Sequence, residues 1–175
     1  EEHEVYDLPQ VSGDSASVYE HCSRALARAS TVGQHGLPLM GTGDWNDGMN
    51  RVGMSGRGES VWLAWFLATT LRDFAPIAAA RGDEATASAY RTQADAYVKA
   101  VETHGWDGAW YRRAFYDDGT PLGSASEAEC RIDSIAQSWS VISGAGAPER
   151  QQRAMASLEE HLVDREHRLI RLLTP

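Results

Sequence analysis

The sequence predicts an all-α fold of alternating inner and outer helices, and three observations predict it. Apolar residues recur at three- and four-residue steps over about five separate stretches. Some of those stretches are apolar nearly all round and others on one side only, as in an α/α barrel. Capping residues and glycine stops bound them.

Residues 1–14 are acidic and irregular, with Pro9 and Gly13, and read as a linker or docking segment; residues 15–175 form the domain. Ser17-x-x-Glu20 is a capping box. Val18, Cys22, Leu26 and Ala29 then share one helical face, with Gly33 as the expected left-handed cap. Residues 36–50 are too rich in glycine for a helix or packed strand, and residues 51–58, with Gly53, Gly56 and Gly58, form a second flexible segment. Glu59 and Ser60 are expected to open the next helix, the acid favouring the positive end of its dipole.

Residues 61–71, with Trp62, Trp65 and Phe66, lack a polar face and predict an inner helix. Gly82 and Asp83 break the chain. The next helix, to about His104, sets Ala87, Tyr90, Ala94, Tyr97 and Val101 against Arg91, Gln93, Asp95 and Lys99, the pattern of an outer helix. Residues 106–116 leave helical spacing and Asp117-Asp118-Gly119 is a turn signal, so a short β-hairpin or extended lid is expected. Ser126-x-x-Glu129 is read as the cap of a helix with Ile132, Ile135, Ala136, Trp139 and Ile142 inward, stopped by Gly144 and Gly146. Pro148 suits a first helical position, followed by Met155, Leu158 and Leu162. Residues 168–175 form a short extended tail.

Composition narrows the function. With 42% hydrophobic and 23% charged residues, the chain is an ordinary globular domain. Its formal charge of −9 argues against nucleic acid as a partner. Lys99 is the only lysine, so an anion clamp here would be a guanidinium. Cys22 and Cys130 have neither CxxC spacing nor histidines in metal register, and read as buried apolar residues with no metal. No apolar run reaches the ~18 residues of a membrane span, so no membrane contact is expected of this segment. Lacking an initiator methionine, the chain reads as a piece of a longer polypeptide.

Chemistry concentrates in HGLPLMGTGDWNDGMN, from His35. Asp44, Trp45, Asn46 and Asp47 combine a flat apolar platform, a two-way hydrogen-bonding amide and two acids, the kit for a sugar subsite. By chemistry alone, Asp44 and Asp47 also suit the two-carboxylate arrangement of a glycosidase. His21 and His35 read as structural. Arg57, Arg112 and Arg113 are possible anion contacts, with solvated or structural roles favoured.

GLPLMGTGDWNDGMN, GESVWLAWFL, WDGAWYRRAFYDDGTPLGS and ECRIDSIAQSWSVISG, in that order, resemble the glycoside phosphorylases of glycoside hydrolase family 94. Within it the likeness is greatest to the C-terminal region of cyclic β-1,2-glucan synthases and to the 1,2-β-oligoglucan phosphorylases. The resemblance implies an (α/α)6 barrel, of which about five helices make a partial toroid with an open edge. It implies an inverting phosphorylase or glycosyltransferase acting on β-1,2-glucan chains, with Asp47 as general acid and Trp45 as a sugar contact. Asp44 and Asn46 are assigned to substrate binding through sugar hydroxyls or else to hydrogen bonds within the loop, and Gln137, in a matching block, to substrate binding or to the plain core.

No cofactor is implied; inorganic phosphate is co-substrate and nucleophile. The family's phosphate ligands, a His and a Thr-Gly pair, find no match after Val141, because His161 and His167 lie in the wrong setting. The rest of the parent polypeptide or a second fragment is therefore the expected partner, beside a β-glucan oligosaccharide and phosphate. The 175 residues alone are expected to be catalytically silent and prone to associate. The cytoplasmic side, as part of an inner-membrane protein, is the expected location. Two other readings stand beside this one: an inverting hydrolase on the same barrel, and a non-catalytic carbohydrate-binding or scaffold piece.

Overall fold

The computed structural model describes residues 8–175, and every side chain in that range except that of Asp47. Residues 1–7 of the expected linker lie outside it; residues 8–14 are mostly exposed and carry no helix or strand.

Among the described residues are five α-helices and two small antiparallel sheets. The helices are α1 (Val18–Ala29), α2 (Val61–Ala80), α3 (Glu84–Ala100), α4 (Ser134–Ile142) and α5 (Pro148–Leu162). Strands β1 (Glu59–Ser60), β2 (Ala114–Phe115) and β3 (Pro121–Leu122) form one sheet in the order β1-β2-β3, and β4 (Val163–Asp164) pairs with β5 (Leu169–Ile170). No helix among the described residues is long and apolar enough to cross a membrane.

Helix α2 is the centre. It packs along α3 and also against α4 and α1, burying Val61, Trp62, Ala64, Trp65, Leu67, Ala68, Leu71, Ala75 and Ala78. A side chain of the size of Leu71, fully buried, contributes ~1.5–3 kcal/mol, which makes this inner helix the largest apolar investment of the fold. The expected stripe of α3 is where it was read, with Ala87, Ala94, Tyr97 and, just past the helix, Val101 buried. Pro148 occupies the first turn of α5, and Leu158 and Leu162 face inward.

Several expectations are corrected. Ser17 does cap α1 by accepting from the Glu20 amide, but Glu20 turns its carboxylate to Arg24. Val18 stays exposed, so of the expected face only Leu26 is buried. Cys22 and Cys130, expected to be buried, are half-buried. Helix α1 ends at Ser30, and Gly33 serves a different need: a Cβ there would lie 2.5 Å from the Glu59 side chain.

Glu59 does not feed a helix dipole. It lies in β1, buried, and its carboxylate accepts from the amides of His35 and Leu37 and bonds His35 Nδ1. Ser60 is the cap of α2. Ser126 and Glu129 do not start α4, which begins eight positions later under Asp133. The segment between them is held by tertiary bonds: Trp110 Nε1 donates to the Gly123 and Arg131 carbonyls, and the Arg131 amide to Thr174 Oγ1. The hairpin after Trp106 exists, but as β2–β3 it pairs with β1 and buries Tyr111, Arg113, Ala114 and Phe115, so it is not a lid.

Candidate active site

The apolar residues inside the glycine-rich stretch explain how it is anchored. Leu37 and Met40 are buried, and residues 38–40 run antiparallel beside residues 58–60, with the Met40 amide on the Gly58 carbonyl and the Ser60 amide on the Pro38 carbonyl. Gly58 permits a close crossing, since a Cβ there would meet the Val52 carbonyl oxygen at 2.4 Å. The backbone then takes positive φ at Gly41 and Gly43 and turns back towards the start of α2.

Asp44 points inward. Its Oδ2 accepts from Ser60 Oγ at 2.6 Å and Arg113 Nη1 at 2.7 Å, and its Oδ1 from Arg113 Nη2 at 2.8 Å and the Asn46 amide at 3.1 Å. The side chain is wholly buried. Burial opposes ionisation, but the Arg113 fork, Ser60 and the Asn46 amide outweigh it and hold the carboxyl below the usual range. Asp44 is thus a fixed anion. Its oxygens are committed to the protein, the loop's own Asn46 amide among their partners, which is the second of the two roles expected of it.

Trp45 projects outward, 57% exposed. Its ring lies 6.5 Å from Trp62, which stacks on Phe66 at 5.4 Å, while Trp139 packs edge-on against both. Trp45 is therefore the exposed tip of an aromatic cluster. Asn46 caps a 3-10 turn, Asp47–Met49, with its Oδ1 accepting from the Gly48 amide at 3.0 Å. Asp47 begins that turn.

Gln137 lies behind the site. Its Oε1 accepts from the Tyr111 amide, and its Nε2 donates to the Tyr111 and Asp133 carbonyls. The side chain is fully buried, so the structure places it as a brace between α4 and the hairpin. The cationic candidates also have internal partners. Arg57 donates to the Asp117 carbonyl, Arg112 binds Asp107, and Arg113 holds Asp44. His35 lies against Phe115 with Glu59 on its Nδ1, His161 against Trp110, and His167 beside Asp164.

Asp133 is the residue that sequence reasoning passed over. It caps α4 through the Ile135 amide and sets its Oδ2 3.5 Å from Arg113 Nε, a nitrogen that has no hydrogen bond. Burial first, and then Asp44, push its carboxyl up to about 6, against the pull of Arg113 and the helix amides. One signal for Arg113 was present: Tyr111, Arg113 and Phe115 alternate, so a period-two reading puts the guanidinium on the buried face.

The comparisons agree with this architecture. The description "Glycosyl hydrolase 94 superfamily, catalytic domain" matches residues 1–175. The chain is 54% identical over 175 residues to the cyclic beta-(1,2)-glucan synthase NdvB of Rhizobium meliloti (strain 1021), covering 99% of this chain and 6% of that protein. It is 39% identical over 149 residues to the 3-O-beta-D-glucopyranosyl-beta-D-glucuronide phosphorylase of Paenibacillus borealis, covering 85% of this chain and 19% of the relative. It is 35% identical over 157 residues to the solabiose phosphorylase of the same organism, covering 89% and 20%. The chain thus spans at most a fifth of these relatives.

In fold it is similar to a GH78 family rhamnosidase of Bacillus sp. GL1, with a TM-score of 0.61 and 19% identity over 89% of this chain and 15% of that one. With the family match running the whole length, the chain belongs to the glycosyl hydrolase 94 superfamily, as part of its catalytic domain.

Proposed function

We propose that these residues are a segment of the catalytic domain of an inverting glycoside phosphorylase or glycosyltransferase acting on β-1,2-glucan chains, and that the five helices are part of an (α/α)6 barrel. The relatives support the glycosyl-transferring reading, since a glucan synthase and several disaccharide phosphorylases share the domain. The observation that carries the mechanism is the state of Asp44. A glycosidase working with two carboxylates needs a second acid free to serve as base or nucleophile. Asp44 is buried and bonded through both oxygens. That suits a reaction in which the loop supplies one acid and a co-substrate supplies the nucleophile.

In this reading phosphate attacks the anomeric carbon from the face opposite the leaving group. Asp47 protonates the departing glycosidic oxygen, and the products are a shortened glucan and glucose 1-phosphate. Trp45 offers its exposed indole as the sugar platform, and Asn46 shapes the turn on which Asp47 sits. Such general acid catalysis is typically worth ~10²–10⁴ in rate. The phosphate ligands come from elsewhere in the full-length protein, which in this reading works on the cytoplasmic side as part of an inner-membrane protein.

The test is to incubate the full-length protein with β-1,2-gluco-oligosaccharides, with and without phosphate. Glucose 1-phosphate formed only when phosphate is present is the expected result. Reducing sugar released equally without phosphate would make the enzyme a hydrolase.

A further inference from the structure

The loop that carries Asp47 is fixed from behind by one guanidinium. We infer that Arg113, seated by Asp133, is the positioning residue of the proposed reaction: through Asp44 it sets the place of the 3-10 turn that begins at Asp47. This rests on the function proposed above.

The connection can be followed bond by bond. Arg113 is held by its own main chain, whose amide donates to the Leu122 carbonyl and whose carbonyl accepts from the Val61 amide at the start of α2. Its two terminal nitrogens grip both oxygens of Asp44. A fork on a carboxylate fixes orientation as well as distance, which an ammonium cannot do. Asp44 in turn holds the Asn46 amide, and the Asn46 side chain caps the turn at Gly48. Ser60, bonded to Asp44 and capping α2, ties the same point to the inner helix. Asp133 completes the seat from α4.

Two features separate this from plain structural support. The side chains of Asp44, Arg113 and Asp133 are 0%, 1% and 3% exposed, and two carboxylates share one guanidinium. Buried ion groups are commonly replaceable by apolar residues without loss of stability, so stability alone does not account for this set. The set also spans three distant parts of the chain and ends on the loop with the proposed acid. Asp133 faces Arg113 from the hairpin, Asp44 from the loop and the Cys130 thiol from its own approach segment. With its carboxyl near 6, the seat loses a charge as the medium turns mildly acidic.

The experiment uses the full-length protein with Arg113→Lys and Asp133→Asn, the second preserving shape and the α4 cap. Amide hydrogen exchange over residues 41–50 and 61–100 is read beside kcat and KM for the oligosaccharide. Arg113→Lys is expected to speed exchange in residues 41–50 alone and to lower kcat by ~10²-fold, the scale of a small misplacement of a reacting group, with KM little changed. Asp133→Asn, which mimics the protonated carboxyl, is expected to slow exchange in the same residues at neutral pH and to remove its dependence on pH between about 4 and 6. The parent tightens there as the pH falls through about 6, because burial favours the protonated carboxyl of Asp133 in the folded seat.

Parental exchange in residues 41–50 in both variants, or an equal increase across 61–100, would overturn the positioning role. Exchange reads the seat even if the parent releases no sugar phosphate. That outcome would sink the function reading and leave the seat to be judged by exchange alone.

Discussion

The helix pair α2–α3 and the loop-and-hairpin region beside it are stabilised by opposite means. Between the helices the buried side chains are apolar apart from one hydroxyl: Ala64, Ala68, Leu71, Ala75 and Ala78 against Ala87, Ala94 and Tyr97. Around the loop they are Asp44, Glu59, Ser60, Arg113, Asp133 and Gln137, joined by directed bonds. Apolar packing tolerates repacking at modest cost. A buried polar network is stable in one arrangement and costly in any other. The fold spends apolar surface where it needs mass, and charge where a loop must hold one position.

The first way to break this comparison is to remove one part from each side. Arg113→Ala leaves Asp44 and Asp133 buried without a counter-charge and should cost ~3–5 kcal/mol in urea unfolding. Leu71→Ala should cost ~2–5 kcal/mol through its cavity. The two differ in place: Leu71→Ala should leave amide exchange in residues 41–50 at the parental rate relative to global unfolding, and Arg113→Ala should not. Equal responses of the loop would erase the distinction.

A second test uses pH. The folded-state carboxyl of Asp133 lies near 6, above its ordinary 3.8, because burial penalises its charge. The folded state therefore binds the proton more tightly, and stability falls as pH rises from about 4 to about 6. At ~1.4 kcal/mol per unit, the loss over these two units is about 3 kcal/mol. Asp133→Asn should flatten stability across that window and match or exceed the parent at neutral pH. Asp44 acts with the opposite sign at lower pH: its carboxyl is held below the ordinary value, so its contribution disappears as pH falls through that depressed value. A parent curve that rises between pH 4 and 6 would contradict the assignment for Asp133.

The smallest structural effect belongs to Trp45. At 57% exposure, Trp45→Ala should change stability by no more than ~0.5 kcal/mol. It should weaken oligosaccharide binding by ~1–3 kcal/mol, the scale of covering a large apolar side chain. Calorimetry with a β-1,2-gluco-oligosaccharide reads this, and unchanged affinity would remove the stacking role.

The two regions also differed in how far the sequence revealed them. Helix α2 was legible because residues 61–71 are apolar nearly all round, with only Thr69 and Thr70 polar, and α3 because its stripe repeats at helical steps. The start of α4 was not, because the Ser126 signal is local while residues 123–131 answer to Trp110 and Thr174, far along the chain. Gly33 was misread for the same reason: a glycine that admits the Glu59 side chain looks, in sequence, like one that turns a helix end. In the site, the loop's composition pointed to sugar chemistry, yet it could not separate Asp44 from Asp47. What the structure adds is that Arg113, sixty-nine positions away, holds Asp44, and no local pattern contains that contact.

The most direct measurement compares Asp47→Asn with Asp44→Asn in the full-length protein, reading sugar phosphate release and thermal unfolding together. Asp47→Asn is predicted to lower turnover by ~10²–10⁴-fold with unfolding and oligosaccharide binding unchanged. Asp44→Asn is predicted to lower turnover together with stability. Near-parental turnover by Asp47→Asn, with Asp44→Asn inactive at full stability, would contradict the account.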